Sequence, residues 1–201
     1  MSTERVIVFL KAPRPGFVKT RIAAKLDAES AAAIYQALVG MTLSRLAGRA
    51  DVELRFAPDD AGAEIGVWRR PGWRIQGQGE GDLGERLERA VADAFSEGMK
   101  KVLLLGTDCP EFALADLDEA WAALEANDVV IGPALDGGYW LLGLTRFIPE
   151  LFRNIPWSTD RVSEMTIRRS REAGLKVVEL RRLRDVDTLE DWRAWLREVS
   201  L

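Results

Sequence analysis

Val6-Ile7-Val8-Phe9-Leu10 runs without a break into Lys11-Ala12-Pro13-Arg14-Pro15-Gly16-Phe17-Val18-Lys19-Thr20-Arg21. The first five residues are apolar and partly β-branched, the pattern of a central strand buried on both faces. The eleven that follow hold four cations, two prolines and a glycine, and lead into the start of a helix. Lys and Arg supply charge for a phosphate, and the free N–H groups of a helix start add donors. A solvated basic turn has the same composition, but the position after a buried strand favours phosphate. It is not a Walker A loop, because Val18 stands where that motif needs glycine before the lysine.

The rest of the chain repeats the alternation of apolar runs with helical periodicity that builds βαβ units and a largely parallel sheet. Asp27 to Ala47 reads as a long helix with Asp27 as N-cap. Asp51 to Phe56 alternates like a less buried strand and is followed by the turn-rich Pro58 to Gly62. Trp73 to Gln76 is a short strand, and Leu83, Leu87, Val91, Ala94 and Phe95 place an amphipathic helix over Asp82 to Gly98. Val102 to Leu105 is a second central strand, followed by the helix face Leu117, Trp121 and Leu124. Val129 to Ile131 is a third buried strand, and Tyr139 to Leu144 a further one, paired against a neighbour. Arg161 to Ala173 is a helix, Lys176 to Leu180 a late strand, and Leu189 to Val199 a closing helix. Trp121 and Trp192, at helical spacing, are expected in the core.

Composition narrows the chemistry. The chain has 201 residues, 28 Lys plus Arg against 32 Asp plus Glu, one cysteine and no histidine. At about 150 residues per domain, one domain is expected over residues 1–201. A net charge of −4 gives no basic surplus for a nucleic-acid face. One cysteine excludes an intrachain disulfide, and no histidine means no imidazole base and no His-ligated metal. No run approaches the ~20 apolar residues of a membrane span, so a cytoplasmic protein is expected. Carboxylates, Lys, Arg, hydroxyls and backbone must carry any reaction.

Three more loops could do so. Val102 to Leu105 leads into Gly106-Thr107-Asp108-Cys109-Pro110, where Asp108 could hold Mg²⁺ or Mn²⁺ or merely cap the next helix. Cys109 reads as a small buried filler. In Gly132-Pro133-Ala134-Leu135-Asp136-Gly137-Gly138-Tyr139-Trp140, Asp136 could accept from a substrate hydroxyl, or simply belong to an Asp-Gly hairpin turn. In Asp185-Val186-Asp187-Thr188, Thr188 could cap the last helix while Asp185 faces solvent. Alternatively, two aspartates one residue apart point the same way in extended chain and add a metal ligand. Gly79-Glu80-Gly81-Asp82-Leu83-Gly84 fits the dinucleotide fingerprint. The strand before it is short and polar, however, and Glu80, Asp82 and Glu85 would crowd negative charge around a pyrophosphate, so NAD binding is not expected.

In this order, the segments KAPRPGFVKTRIA (11–23), GDLGER (81–86), GTDCP (106–110), GPALDGGYWLLGL (132–144), IPWST (155–159) and DVDTLED (185–191) resemble a known family. It is a bacterial group of type-A-fold glycosyltransferase-like proteins, some linked to arsenosugar biosynthesis. The group is related to guanylyl- and cytidylyltransferases of phospholactate and molybdenum-cofactor metabolism. Ile22 stands where that family more often has leucine.

The resemblance implies a nucleotide-diphospho-sugar transferase fold, α/β, with a mixed and mainly parallel sheet between helices. It implies that the first loop (Lys11, Pro13, Gly16, Lys19, Arg21) and the glycine loop (Gly81, Asp82, Arg86) hold a nucleotide. Asp108 resembles the metal-binding aspartate of an Asp-x-Asp-type position. Pro110 replaces the second carboxylate, which Asp187 would supply from the far end of the chain. Asp136, Gly137, Gly138 and Tyr139 would face the acceptor or sugar, and Asp136 and Asp108 are the catalytic candidates. The expected activity is Mg²⁺- or Mn²⁺-dependent glycosyl transfer from a nucleotide-diphospho-sugar to a small acceptor. Two alternatives stand beside it: nucleotidyl transfer from an NTP to a phosphorylated small molecule, and nucleotide binding without turnover. Base, sugar, acceptor and oligomeric state are not written in these motifs.

Overall fold

The computed structural model describes residues 3–49 and 51–199. Its strands are β1 (Glu4–Lys11), β2 (Val52–Ala57), β3 (Arg74–Gly77), β4 (Lys101–Leu105), β5 (Val129–Pro133), β6 (Tyr139–Leu144) and β7 (Val177–Glu179). They form a seven-stranded sheet in the order β3-β2-β1-β4-β6-β5-β7. β1 pairs in parallel with β2 and β4, β2 with β3, and β5 with β7. β6 alone runs antiparallel, between β4 and β5. The expected mixed, mainly parallel sheet is present.

Helices cover both faces: α1 (Thr20–Ala23), α2 (Ala28–Arg45), α3 (Gly62–Gly66), α4 (Leu83–Ser96), α5 (Leu114–Ala123), α6 (Val162–Glu172) and α7 (Leu189–Val199). Successive residues of a strand point to opposite faces, so β1 feeds two cores. Val6, Val8 and Leu10 join Leu43, Leu54, Leu103, Leu117 and Trp121 on one side. Ile7 joins Leu87, Val91, Leu104, Ile131, Leu142 and Ile167 on the other. A third cluster of Ile22, Leu38 and Val186, with Trp192 and Trp195 packed on it, fastens α1 to α2 and α7. This small cluster ties the basic loop after β1 to the aspartate loop after β7.

The caps follow from the sequence. Asp27 accepts a hydrogen bond from the Ser30 backbone N–H at 2.6 Å. Asp82 accepts from the Glu85 N–H at 2.9 Å while the Glu85 carboxylate accepts from the Asp82 N–H at 2.8 Å. These two acids of the fingerprint-like loop therefore form a capping box, with no cofactor needed to explain them.

Three readings change. β2 is not a less buried strand: Val52 to Phe56 are all buried, Glu53 and Arg55 included. Its polar residues face other charges, because Glu53 pairs with Arg5 and Arg55, and Arg55 with Asp93. Alternation here marks an ionic layer beneath α4, not a solvent face. Trp192 is half-buried, stacked 5.0 Å from Trp195, while Trp121 is buried as expected. Finally, the turn after β2 continues as a 3₁₀ turn, Asp59–Ala61, straight into α3. No helix among the described residues is long and apolar enough to cross a membrane.

Candidate functional site

Because only β6 is reversed, the carboxyl ends of β1, β4, β5 and β7 and the amino end of β6 meet at one sheet edge. β1 sends β2 to one side and has β4 on the other. That reversal of strand order opens a crevice, the usual ligand position of an open α/β sheet. Two contiguous halves fill it. One half, about 620 Å³, is lined by Lys11, Lys19, Arg21, Tyr35, Gly81, Asp82 and Arg86, among others. The second, about 750 Å³, adds Asp136, Gly138, Tyr139, Trp157, Thr159 and Asp160. Lys11, Arg21, Asp108, Ser158 and Asp187 border both.

The basic loop divides its cations. Arg14 turns outward to Asp60 and Glu64 at 3.0 and 2.6 Å, so it does not serve the cleft. Pro13 and Gly16 are outside the cleft lining too; Gly16 has a left-handed backbone (φ 82°) at the bend of the loop. Arg21 stays 74% exposed at the rim, 3.4 Å from Asp187. Lys19 is the opposite case. Its side chain is only 6% exposed, with Nζ 2.7 Å from Asp108 and 3.0 Å from Asp187. Burial disfavours its charge, but the attraction and hydrogen bonds of both carboxylates win, and the ammonium is held above the ordinary lysine range.

Tyr35 of α2, which the sequence motifs do not single out, anchors this corner. Its hydroxyl accepts from the Lys11 backbone N–H at 2.7 Å. Burial, reinforced by the nearby Asp108 charge, pushes that phenol up to about 12. Arg86 donates to the Gly81 carbonyl at 2.9 Å, and Arg89 to the Gln78 and Glu80 carbonyls, which fixes the glycine loop.

The late loop brings in Asp185, which the paired-aspartate reading allows but which the expected ligands Asp108 and Asp187 leave out. Val186 is fully buried and donates its N–H to the Asp108 carbonyl at 2.8 Å. In this extended segment its neighbours Asp185 and Asp187 consequently share the other side. With Asp136 they form a trio whose carboxylate oxygens lie within 4.8 Å of one another. A hard divalent cation takes carboxylate oxygen, so this donor set fits Mg²⁺ or Mn²⁺. Asp108 lies outside the trio and beside Lys19; Asp187 belongs to both groups. Thr188 also caps α7, through a reciprocal pair with Asp191.

Burial, followed by repulsion from Asp136 and Asp187, raises the Asp185 carboxyl from 3.8 to about 6. The folded state therefore binds this proton more tightly than the unfolded chain. Stability is lost as pH rises from about 4 through 6, and stays lost above. Asp185→Asn should accordingly stabilise the protein at pH 7.5 by about 1 kcal/mol, a figure discounted for solvent screening. Urea midpoints at a series of pH values should show the gain shrinking below pH 6; an equal gain at pH 4 would contradict this origin.

The Asp136 turn is both structural and exposed. Asp136 accepts from the Gly138 N–H at 2.8 Å, so the hairpin-turn reading holds alongside its place in the trio. Gly137 does not line the cleft. It has φ 90°, and a Cβ there would lie 2.0 Å from the Asp160 carbonyl oxygen, so only glycine lets the turn pack on the 158–163 segment. Tyr139 stands edge-on to Trp157 at 6.4 Å, and its buried hydroxyl has no hydrogen-bond partner among the described residues. Lys19 and Ser158 are non-glycine residues at positive φ, 46° and 63°, and both line the cleft. Backbone held in this region is typical of ligand sites. Cys109 is buried and its thiol is pushed up by burial and by Asp108, as suits a filler.

Among solved structures, a candidate nucleotide-diphospho-sugar transferase from Desulfovibrio desulfuricans G20 is 34% identical, with a TM-score of 0.93 over 98% of this chain and 88% of that one. A cytidylyltransferase from Leptospira borgpetersenii superposes at TM-score 0.64 with 15% identity, over 100% and 87% of the two chains. Glucosyl-3-phosphoglycerate synthase from Mycobacterium tuberculosis, in complex with Mn²⁺, UDP and glucosyl-3-phosphoglycerate, gives 0.56 with 13% identity, over 97% and 77%. The last two share the fold. No curated protein matches the sequence. The family model DUF2064, "Uncharacterized protein conserved in bacteria", matches residues 42–159. That span is more than half of the chain and includes β4, β5, β6 and the glycine loop: the chain belongs to the DUF2064 family.

Proposed function

We propose that the chain works as one transferase domain that uses a divalent cation to pass a sugar from a nucleotide-diphospho-sugar to a small acceptor. The observation that carries this reading is the meeting of cations and carboxylates in one crevice. Lys11, Lys19, Arg21 and Arg86 line one side, Asp108 and Asp187 lie against Lys19, and Asp136 lines the crevice further along. Such a pairing of fixed positive charge with hard-cation ligands suits a diphosphate and its metal. The fold shared with the Desulfovibrio protein at 34% identity supports it.

In this reading Lys11, Arg21 and Arg86 hold the diphosphate, with Gly81 and Asp82 shaping the wall beside it. Asp108 and Asp187, with Asp136 and Asp185 at hand, would hold Mg²⁺ or Mn²⁺, which supplies positive charge to the leaving diphosphate. Arg21 at the rim neutralises charge that builds on the phosphates as the sugar–oxygen bond breaks. Asp136 accepts the proton of the acceptor hydroxyl, since the chain has no imidazole to do so. Gly138 leaves room at the turn, and Tyr139 forms part of the wall on the acceptor side.

The same parts could serve nucleotidyl transfer, and one observation favours it: the number of cations facing the cleft would also match a triphosphate. The products separate the two. Glycosyl transfer releases a nucleoside diphosphate, nucleotidyl transfer releases pyrophosphate, and a binding protein releases neither.

A thermal-shift panel of nucleotide sugars and NTPs, with and without Mg²⁺ or Mn²⁺, tests the shared premise. A ligand at 100 times its dissociation constant adds about 2.7 kcal/mol. For a chain of this length that is a melting shift of roughly 5–10 °C. If no nucleotide moves the transition, the transferase reading falls.

A further inference from the structure

Lys19 is hard to reconcile with a free phosphate-binding lysine. Its ammonium lies between Asp108 and Asp187 at 2.7 and 3.0 Å, and it is far more buried than either partner. Its backbone is left-handed (φ 46°, ψ 48°), where a non-glycine residue is held only by its surroundings. Those surroundings are the two carboxylates themselves and the packing of Ile22, three residues on, into the cluster with Val186. Asp187 is the carboxylate common to the lysine pair and to the oxygen trio with Asp136 and Asp185.

We propose that Lys19 is the resident counter-cation of the ligand-free cleft, occupying the positive position between Asp108 and Asp187 that a divalent ion would otherwise claim. The inference rests on the transferase reading above and concerns the order in which its site fills. An ammonium and a divalent ion cannot both lie against Asp187 without strong repulsion. Lys19 must leave before Asp108 and Asp187 become metal ligands. It will leave when another anion receives it, and the phosphates expected beside Lys11 and Arg21 are such an anion. Phosphate binding then exposes the two carboxylates, and a cation there in turn keeps Lys19 on the phosphate. By linkage each ligand strengthens the other by the same factor. The cleft thus discriminates against free metal ions and admits them only with phosphate.

Mn²⁺ titration followed by electron paramagnetic resonance, with no phosphate compound present, tests this directly. Wild type should bind Mn²⁺ only in the millimolar range. Lys19→Met should bind it at least tenfold more tightly, because the internal cation is gone. Lys19→Arg, which keeps the charge, should match wild type. Mn²⁺ binding by Lys19→Met no tighter than wild type overturns the proposal, as does tight binding by Lys19→Arg. Should Lys19→Met fail to fold, the wild-type titration decides, since micromolar affinity for Mn²⁺ alone overturns it. The nucleotide panel keeps the two readings apart. Tighter Mn²⁺ binding by Lys19→Met with no nucleotide shift supports the counter-cation and sinks the transferase. A nucleotide shift with unchanged Mn²⁺ affinity does the reverse.

Discussion

Glu53→Ala is expected to destabilise the protein by about 3–5 kcal/mol, the range for removing one partner of a buried ion pair. Glu53 is 1% exposed and accepts from Arg5 at 3.1 Å and from Arg55 on its other oxygen. Arg5 reaches on to Glu97 and Arg55 to Asp93, both at 2.7 Å, so α4 is bound to β1 and β2 through charge. Alanine would leave two nearly buried guanidiniums facing each other without the carboxylate between them. Arg55 already has one nitrogen, Nη1, without a partner among the described residues. Urea unfolding should show a much lower midpoint with an unchanged slope. A loss under 1 kcal/mol would mean that Asp93 and Glu97 suffice to neutralise both arginines.

Asp187→Asn should have the largest effect on turnover. Asp187 touches Lys19 and Arg21 and belongs to the trio with Asp136 and Asp185, so one substitution removes charge from both groups. Loss of one such electrostatic group lowers rates by about 10²–10³, or 2.7–4 kcal/mol. Measured with a nucleotide sugar that shifts the melting transition, kcat/KM should fall by that factor. Asp108→Asn should fall less, since Asp108 lies outside the trio. Equal activity in wild type and Asp187→Asn would leave the late loop with only its capping role at α7.

The layout of the sheet is legible because its evidence is local. Val6 to Leu10 and Val102 to Leu105 are apolar runs too short for helices, and each ends in a polar glycine- or lysine-containing loop. The loops that line the cleft are legible for the same reason, as they follow strand ends, where such folds place their crevices. What stays hidden depends on contacts between distant segments. Nothing near Glu53 announces Arg5 or Asp93, so an alternating strand reads as half-exposed. Nothing near Arg14 announces Glu64, so it reads as a phosphate ligand like its neighbours. Asp185 is half legible, since its one-residue spacing from Asp187 allows a shared side but does not show what that side meets. Its role depends on Val186 being buried under α1 and α2, which turns both flanking carboxylates toward Asp136. Tyr35 lies in the middle of a helix, and its part in the cleft appears only when α2 crosses behind Lys11.

The reversed direction of β6 has a consequence for how this cleft can be altered. β5 and β6 are joined by residues 134–138 alone, with no helix between them, so this wall of the crevice is a hairpin cut from one continuous stretch. The opposite wall draws on residues after β1, on α2 and on the glycine loop, segments separated by whole crossovers. The two walls are therefore unequal as engineering material. The hairpin wall is one continuous stretch paired through main chain to β4 on one side and β7 on the other. It can be exchanged as a single cassette provided that Gly137 and the packed side chains of β6, such as Trp140, are kept. The wall built from crossovers has no such unit of exchange. On the proposed assignment of the acceptor to the hairpin wall and the nucleotide to the other, acceptor preference should be the trait that drifts readily among homologous chains, and the nucleotide the trait that is inherited.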